Sequence, residues 1–208
     1  MKFLIYLAII YLEVITMIHR VSKRIANFLL NHNLIDTGEF EIYVYGYEML
    51  ILSLTDLLIT IILGVIFHKL SSMLIFFLMF VSVRIYSGGY HANTVTKCKV
   101  IFTLICLSVV LLSEIKFDFL LNIIIMTIYI VSCIFMAPVE SYNKPLSPED
   151  KQSYRKISIF LSILWCIISF VTYFSKLSIC RTVTVTALIV TILMIVGEYG
   201  KEGNHEKS

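Results

Sequence analysis

Six apolar runs, at about residues 49–67, 70–86, 95–115, 117–137, 157–175 and 179–197, dominate the chain and each approaches the ~20 residues that a helix needs to cross a bilayer. Lipid offers no hydrogen bonds, so backbone groups in such runs must pair within the segment, which means helices. The expected fold is an all-α integral membrane protein with six transmembrane helices. A mean hydropathy of +0.90, with 59% hydrophobic and 15% charged residues among 208, exceeds what one soluble core can hide. The third run is the most constrained. Its stretch between Lys99 and Lys116 is too short for the hydrocarbon core, so that helix must start upstream of Lys99 and take Cys98 into its first turns.

The intervals between runs carry the charge unevenly. One side receives Arg20, Lys23, Arg24, Arg84, Lys97, Lys99, Lys144, Lys151, Arg155, Lys156, Lys201 and Lys207; the other receives only Lys69, Lys116, Lys176 and Arg181. Positively charged loops stay inside, which predicts a multi-pass membrane protein with both termini and the 84–98 interval on the cytoplasmic side. Thiols there remain reduced. A formal net charge of +3, scattered along the chain, excludes a nucleic-acid-binding face.

Ahead of the first run, residues 18–35 place Ile18, Val21, Ile25, Phe28 and Leu29 on one helical face, with Arg20, Lys23, Arg24, Asn27 and Asn31 elsewhere. That pattern fits an amphipathic helix in the inner headgroup region, or equally one packed on the end of the bundle. The expected organisation is an apolar leader at 1–16, an amphipathic region at 17–48, a six-helix membrane domain at 49–197 and a polar cytoplasmic tail at 198–208. The leader lacks the small-residue cleavage site of a secretory signal, and Met17 is an alternative start.

Four of the five cysteines, Cys106, Cys133, Cys166 and Cys180, lie in or at the ends of apolar runs and read as small core residues. Cys98 alone falls in a polar interval, RIYSGGYHANTVTKC. A cysteine becomes nucleophilic when a helix N-terminus, nearby cations or a histidine favour its thiolate. Asn93, Thr94 or Thr96 can cap the helix that carries Cys98, Lys97 and Lys99 flank it as sources of positive potential and headgroup anchors, and His91 is its nearest histidine in sequence. Seven residues along one straight helix separate two groups by about 10.5 Å, so a dyad needs a bend, and Gly88 and Gly89 can supply unusual backbone angles. The bland alternative is a mere connector. His91, Cys98 and His68 do not form three convergent metal ligands, and no cofactor is implied.

Arg84, three residues, Gly88 and Gly89, Tyr90, His91, six residues and Cys98 together resemble the signature of the accessory gene regulator B family, membrane cysteine endopeptidases that mature quorum-sensing propeptides in Gram-positive bacteria. Tyr45–Gly46–Tyr47–Glu48 before the first run, and a basic loop with Ala137, Pro138, Lys144 and Pro145, extend the resemblance. It implies that Cys98 is the nucleophile and His91 its partner, with Arg84, Gly88, Gly89 and Glu48 in support. Glu48 would orient His91, hold Arg84, or serve only as a helix-end carboxylate; Arg84 could equally be a snorkelling anchor. Asp56, deep in the first run, reads as a structural hydrogen-bond or ion-pair residue. The resemblance further implies a short amphipathic propeptide as substrate, cleaved through an acyl-enzyme thioester and cyclised to a thiolactone or lactone. Lys144, Lys151, Arg155 and Lys156 could receive an acidic propeptide tail, or simply anchor the protein to the inner leaflet. A homodimer is compatible with the sequence. The competing class is a small peptide exporter, which would use Asp56, Glu48 and Arg84 and have no need of Cys98.

Overall fold

A computed structural model describes residues 2–90, 95–139, 147–175 and 178–205. These fold into seven α-helices, α1 (Lys2–Asn31), α2 (Phe40–Ile66), α3 (Leu70–Ser87), α4 (Val95–Leu112), α5 (Phe119–Met136), α6 (Pro148–Phe174) and α7 (Ser178–His205), with a 3₁₀ turn at Thr37–Glu39 and no strand among the described residues. Five of them, α2, α3, α5, α6 and α7, are long and apolar enough to cross a membrane. The helix expected as the third span is α4, and it does begin upstream of Lys99.

Boundaries follow local chemistry more than the apolar runs do. Ser147 caps α6 by accepting from the Asp150 amide at 3.1 Å, with Pro148 in the first turn, so that helix starts well before the run at 157. Similarly, α2 starts at Phe40, which puts Tyr45–Glu48 inside the helix. Two helices end in left-handed caps: Asn33 (φ 54°) closes α1 and His68 (φ 53°) closes α2. At the second, the amides of His68 and Lys69 turn back to Val65 and Gly64 at 3.1 and 2.7 Å. A Cβ on Gly64 would lie 3.0 Å from Leu70 Cα, so this glycine lets α3 fold tightly back on α2.

The last helix is the pole of the bundle. α7 packs against α3, α4, α5 and α6, and six successive residues from Thr182 to Ala187 are buried, so it is surrounded on every side there. Its threonines satisfy themselves inside the helix, Thr186 donating to Thr182 O at 2.7 Å and Thr191 to Ala187 O at 2.9 Å. Thr184 also reaches outward: Asn122 of α5 accepts from Thr184 at 2.5 Å and from Ser169 of α6 at 3.3 Å, joining three helices at one buried amide. Met73, Phe76, Met79, Phe80 and Val83 give α3 its core face, and Phe102 of α4 stacks among its phenylalanines.

By contrast, α2 is peripheral. Only Val44, Thr60 and Gly64 are buried, while Leu50, Leu54, Leu58 and Ile62 form an outward stripe suited to lipid. α1 is one continuous helix across both the leader and the amphipathic region, and it packs on α2. Ser22 and Ala26, fully buried, form the centre of its inner face, with Ile18, Ile25 and Leu29 half-buried beside them. Small residues let the two backbones approach. Val21 and Phe28, on the apolar face read from the sequence, are exposed at 40% and 57%, as they would be against the headgroup region.

Candidate active site

The ends of α3, α5 and α7 converge on the two glycines. Gly88 (φ 67°) ends α3 and Gly89 (φ 120°) follows it, both in conformations that side chains disfavour. Space forbids a side chain as well: a Cβ at Gly88 would collide with the Val139 carbonyl, and one at Gly89 with the Arg84 guanidinium, 3.0 Å from Leu193 O. Val139, just past α5, donates its amide to Ser87 O at 2.8 Å and accepts from Gly89 at 3.4 Å. The Tyr90 amide then donates to Leu193 O of α7 at 2.9 Å. Gly197, one turn further along α7, has no room for a Cβ, which would sit 2.5 Å from Gly89 C and Tyr90 N. The glycines therefore serve close packing as much as bending.

Arg84 fastens the same loop from within. Its Nη1 donates to Gly88 O at 2.5 Å and its Nη2 to Tyr90 O. It folds onto the backbone that follows it, so it is no snorkelling anchor. Among the described residues it has no carboxylate within ion-pair distance.

Cys98 is a free, exposed thiol at the start of α4. Asp56, Lys99 and Arg84 are among the charged side chains near it. Lys99 differs from its expected role as a headgroup anchor: it is 7% exposed and turns inward, donating to Asp56 Oδ1 and to Leu52 O, each at 2.6 Å. Asp56 thus has the ion-pair role read from the sequence, and its partner is now named. His91, Asn93 and Thr94 lie outside the described residues, as does Lys144. Their flanks are fixed, however. Tyr90 is tied to α7 and Arg84, and Val95 begins α4, so His91 directly follows an anchored residue and only four residues join the two ends.

Glu48 is not beside Arg84. Its Oε1 lies 2.5 Å from Nδ1 of His19 on α1, a histidine that sequence reading passed over. The pair borders a cleft of about 510 Å³ between α1 and α2, lined by Ile18, Met49 and Leu52 and reaching Val95. Val95 and Cys98 stand one turn apart on α4. Of the basic residues proposed to meet a peptide tail, Lys151, Arg155 and Lys156 are exposed on the first turns of α6. Arg155 is already engaged, its Nη2 donating to Ile134 O at 2.5 Å near the C-terminal end of α5.

Long helices with lipid-suited outer faces, gathered around a glycine-clamped loop that leads to an exposed cysteine, define a polytopic helical membrane protein with its polar chemistry at one end. The chain belongs to the accessory gene regulator B (AgrB) family, whose model matches residues 22–195. This family is linked to the processing of autoinducing peptides in quorum sensing, as peptidase-like enzymes. AgrB-like protein 2 of Clostridium perfringens strain 13 is 29% identical over 174 residues, covering 77% of this chain and 80% of the relative. An AgrB-like protein of Clostridium perfringens strain SM101 is 30% identical over 164 residues, covering 71% and 77%. No solved structure matches.

Proposed function

We propose that the protein is a membrane cysteine endopeptidase that removes the C-terminal part of a short propeptide and promotes cyclisation of the remainder to an autoinducing thiolactone or lactone. The observation that supports this reading is the clamped Arg84–Tyr90 loop, which anchors the residue immediately before His91, together with an exposed Cys98 in the first turns of α4. His91 takes the thiol proton, and the thiolate of Cys98 attacks a peptide carbonyl. The carbonyl oxygen takes up the electron pair near the helix start, where the first backbone N–H groups of any helix lack intrahelical partners. Collapse of that adduct breaks the C–N bond, and the imidazolium gives its proton to the departing amine.

The product is a thioester on Cys98. An internal thiol or hydroxyl of the peptide then attacks it, passing its proton through His91 to the departing Cys98 sulfur. With a thiol, one thioester replaces another and little driving force is lost. Holding the nucleophile close to the thioester favours ring closure over hydrolysis. The apolar cleft at Ile18, Met49, Leu52 and Val95 suits a stretch of the amphipathic peptide beside the nucleophile. The lysine and arginine asymmetry supports a cytoplasmic position for these groups, a topology that takes α4 as a sixth span.

An exporter would want Asp56, Glu48 and Arg84 free along a pathway. Their engagement with Lys99, His19 and loop carbonyls weighs against it. The test is co-expression of the chain with a propeptide encoded beside it. Wild type should release the C-terminal fragment, and Cys98→Ala and His91→Ala should each lower release by at least about a hundredfold. Cleavage that persists in Cys98→Ala defeats the proposal.

A further inference from the structure

The crossing of α2 and α4 holds an arrangement that the chemistry above does not use. Lys99 places its ammonium between two acceptors on one face of α2, the Leu52 carbonyl and the Asp56 carboxylate, one turn apart and each 2.6 Å away. The side chains are 8% and 23% exposed. A contact meant only to hold two membrane helices together is readily made by small residues, as Gly64 does between α2 and α3. Burying two ionised groups demands more, since each must be compensated by close, directional partners. Direction is what such a pair supplies. Two acceptors stacked along α2 fix both the height of α4 against α2 and its rotation about its own axis.

Rotation matters because of what stands next in the chain. Neighbouring residues on a helix are separated by about 100° and 1.5 Å of rise. With Lys99 locked against α2, Cys98 is turned away from that contact, where its thiol is exposed. The Lys99 ammonium, held by Asp56, is thereby directed to α2 and not to the thiol beside it in the chain.

We infer that Asp56 and Lys99 are positioning residues, a half-buried ion pair that sets the rotation of α4 and so presents the Cys98 thiol. This rests on Cys98 being the nucleophile, and the experiment reads the thiol without needing peptide cleavage. The full-length protein in native membranes is treated with N-ethylmaleimide, and the modification rate of each cysteine is followed by peptide mass spectrometry. Asp56→Asn and Lys99→Met should each slow Cys98 by about fivefold or more while Cys133 and Cys180, buried elsewhere, keep their wild-type rates. General loosening would instead speed the buried pair. The exchange Asp56→Lys with Lys99→Asp should return Cys98 to within about threefold of wild type.

Where a single variant fails to accumulate, the exchange and the neutral pair Asp56→Asn with Lys99→Gln decide, the latter slowing Cys98 alone. An unchanged Cys98 rate in the accumulating single variants or the neutral pair overturns the inference, as does an exchange protein that stays slow or a rise in the Cys133 and Cys180 rates. If wild type cuts no propeptide yet Cys98 responds as described, the peptidase reading fails and the positioning survives.

Discussion

At the scale of single residues, the two glycines differ in what they tolerate. A methyl group on Gly88 meets the Val139 backbone, which has nowhere to go, whereas one on Gly89 first meets the tip of Arg84, which can swing. Both positions also have positive φ. Gly88→Ala should therefore cost about 1–3 kcal/mol or more and reduce accumulation in the membrane. Gly89→Ala should accumulate better and lose activity, because the displaced guanidinium releases Tyr90 O. Thermal unfolding in detergent, set beside propeptide cleavage, distinguishes the two; equal loss of stability would contradict this account. The sequence spoke clearly about Gly88, Gly89 and Cys98, since glycine and a lone polar-interval thiol announce themselves locally. It was silent about direction. Nothing near Arg84 says that it curls onto Tyr90, and Lys99 looked like a surface anchor because its partner Asp56 is 43 residues away.

Among the helices, legibility depended on which force sets each end. Apolar runs located α3 and α5 closely because lipid contact and helix coincide there. They missed the starts of α2 at Phe40 and of α6, where polar turns continue the helix back to the capping Ser147. Faces were harder than lengths. Val21 and Phe28 share the apolar face read from the sequence, but the contact of α1 with α2 runs through Ser22 and Ala26, whose value lies in small size, which hydropathy does not register. The hub at Asn122 was equally invisible, its donors being 62 and 47 residues away. Asn122→Ala should destabilise the α5, α6 and α7 junction by about 1–2 kcal/mol, and Thr184→Val by less, since Ser169 remains. Urea or thermal unfolding of the purified variants checks the order.

For the molecule as a whole, the two ends of the bundle are built differently. The end carrying Cys98 is held by backbone carbonyls, glycines and a buried pair, while the opposite end relies on exposed charge. There Lys69 lies 2.5 Å from Glu114 and donates to Val110 O at 2.6 Å, and Arg181 donates to Glu114 O at 3.2 Å. Hydrogen bonding and charge from Lys69 hold the Glu114 carboxyl below its ordinary range. A lowered folded-state value means that the stabilisation is present above the unfolded value and fades as pH falls through the folded one. Wild type should thus be slightly more stable than Glu114→Gln near neutrality, with the difference vanishing in strong acid. Melting temperatures across that range would test it, and a gap that widens on acidification would refute it.

The place of α7 in the chain has a biosynthetic consequence. The segment that braces the glycine loop through Leu193 and Gly197 follows the other six helices, so it leaves the ribosome after them. Until it arrives, the earlier helices lack their shared axle, and the glycine loop lacks its contacts with Leu193 and Gly197. A nascent or truncated chain that lacks α7 therefore lacks the partner that holds the Gly89–Tyr90 loop.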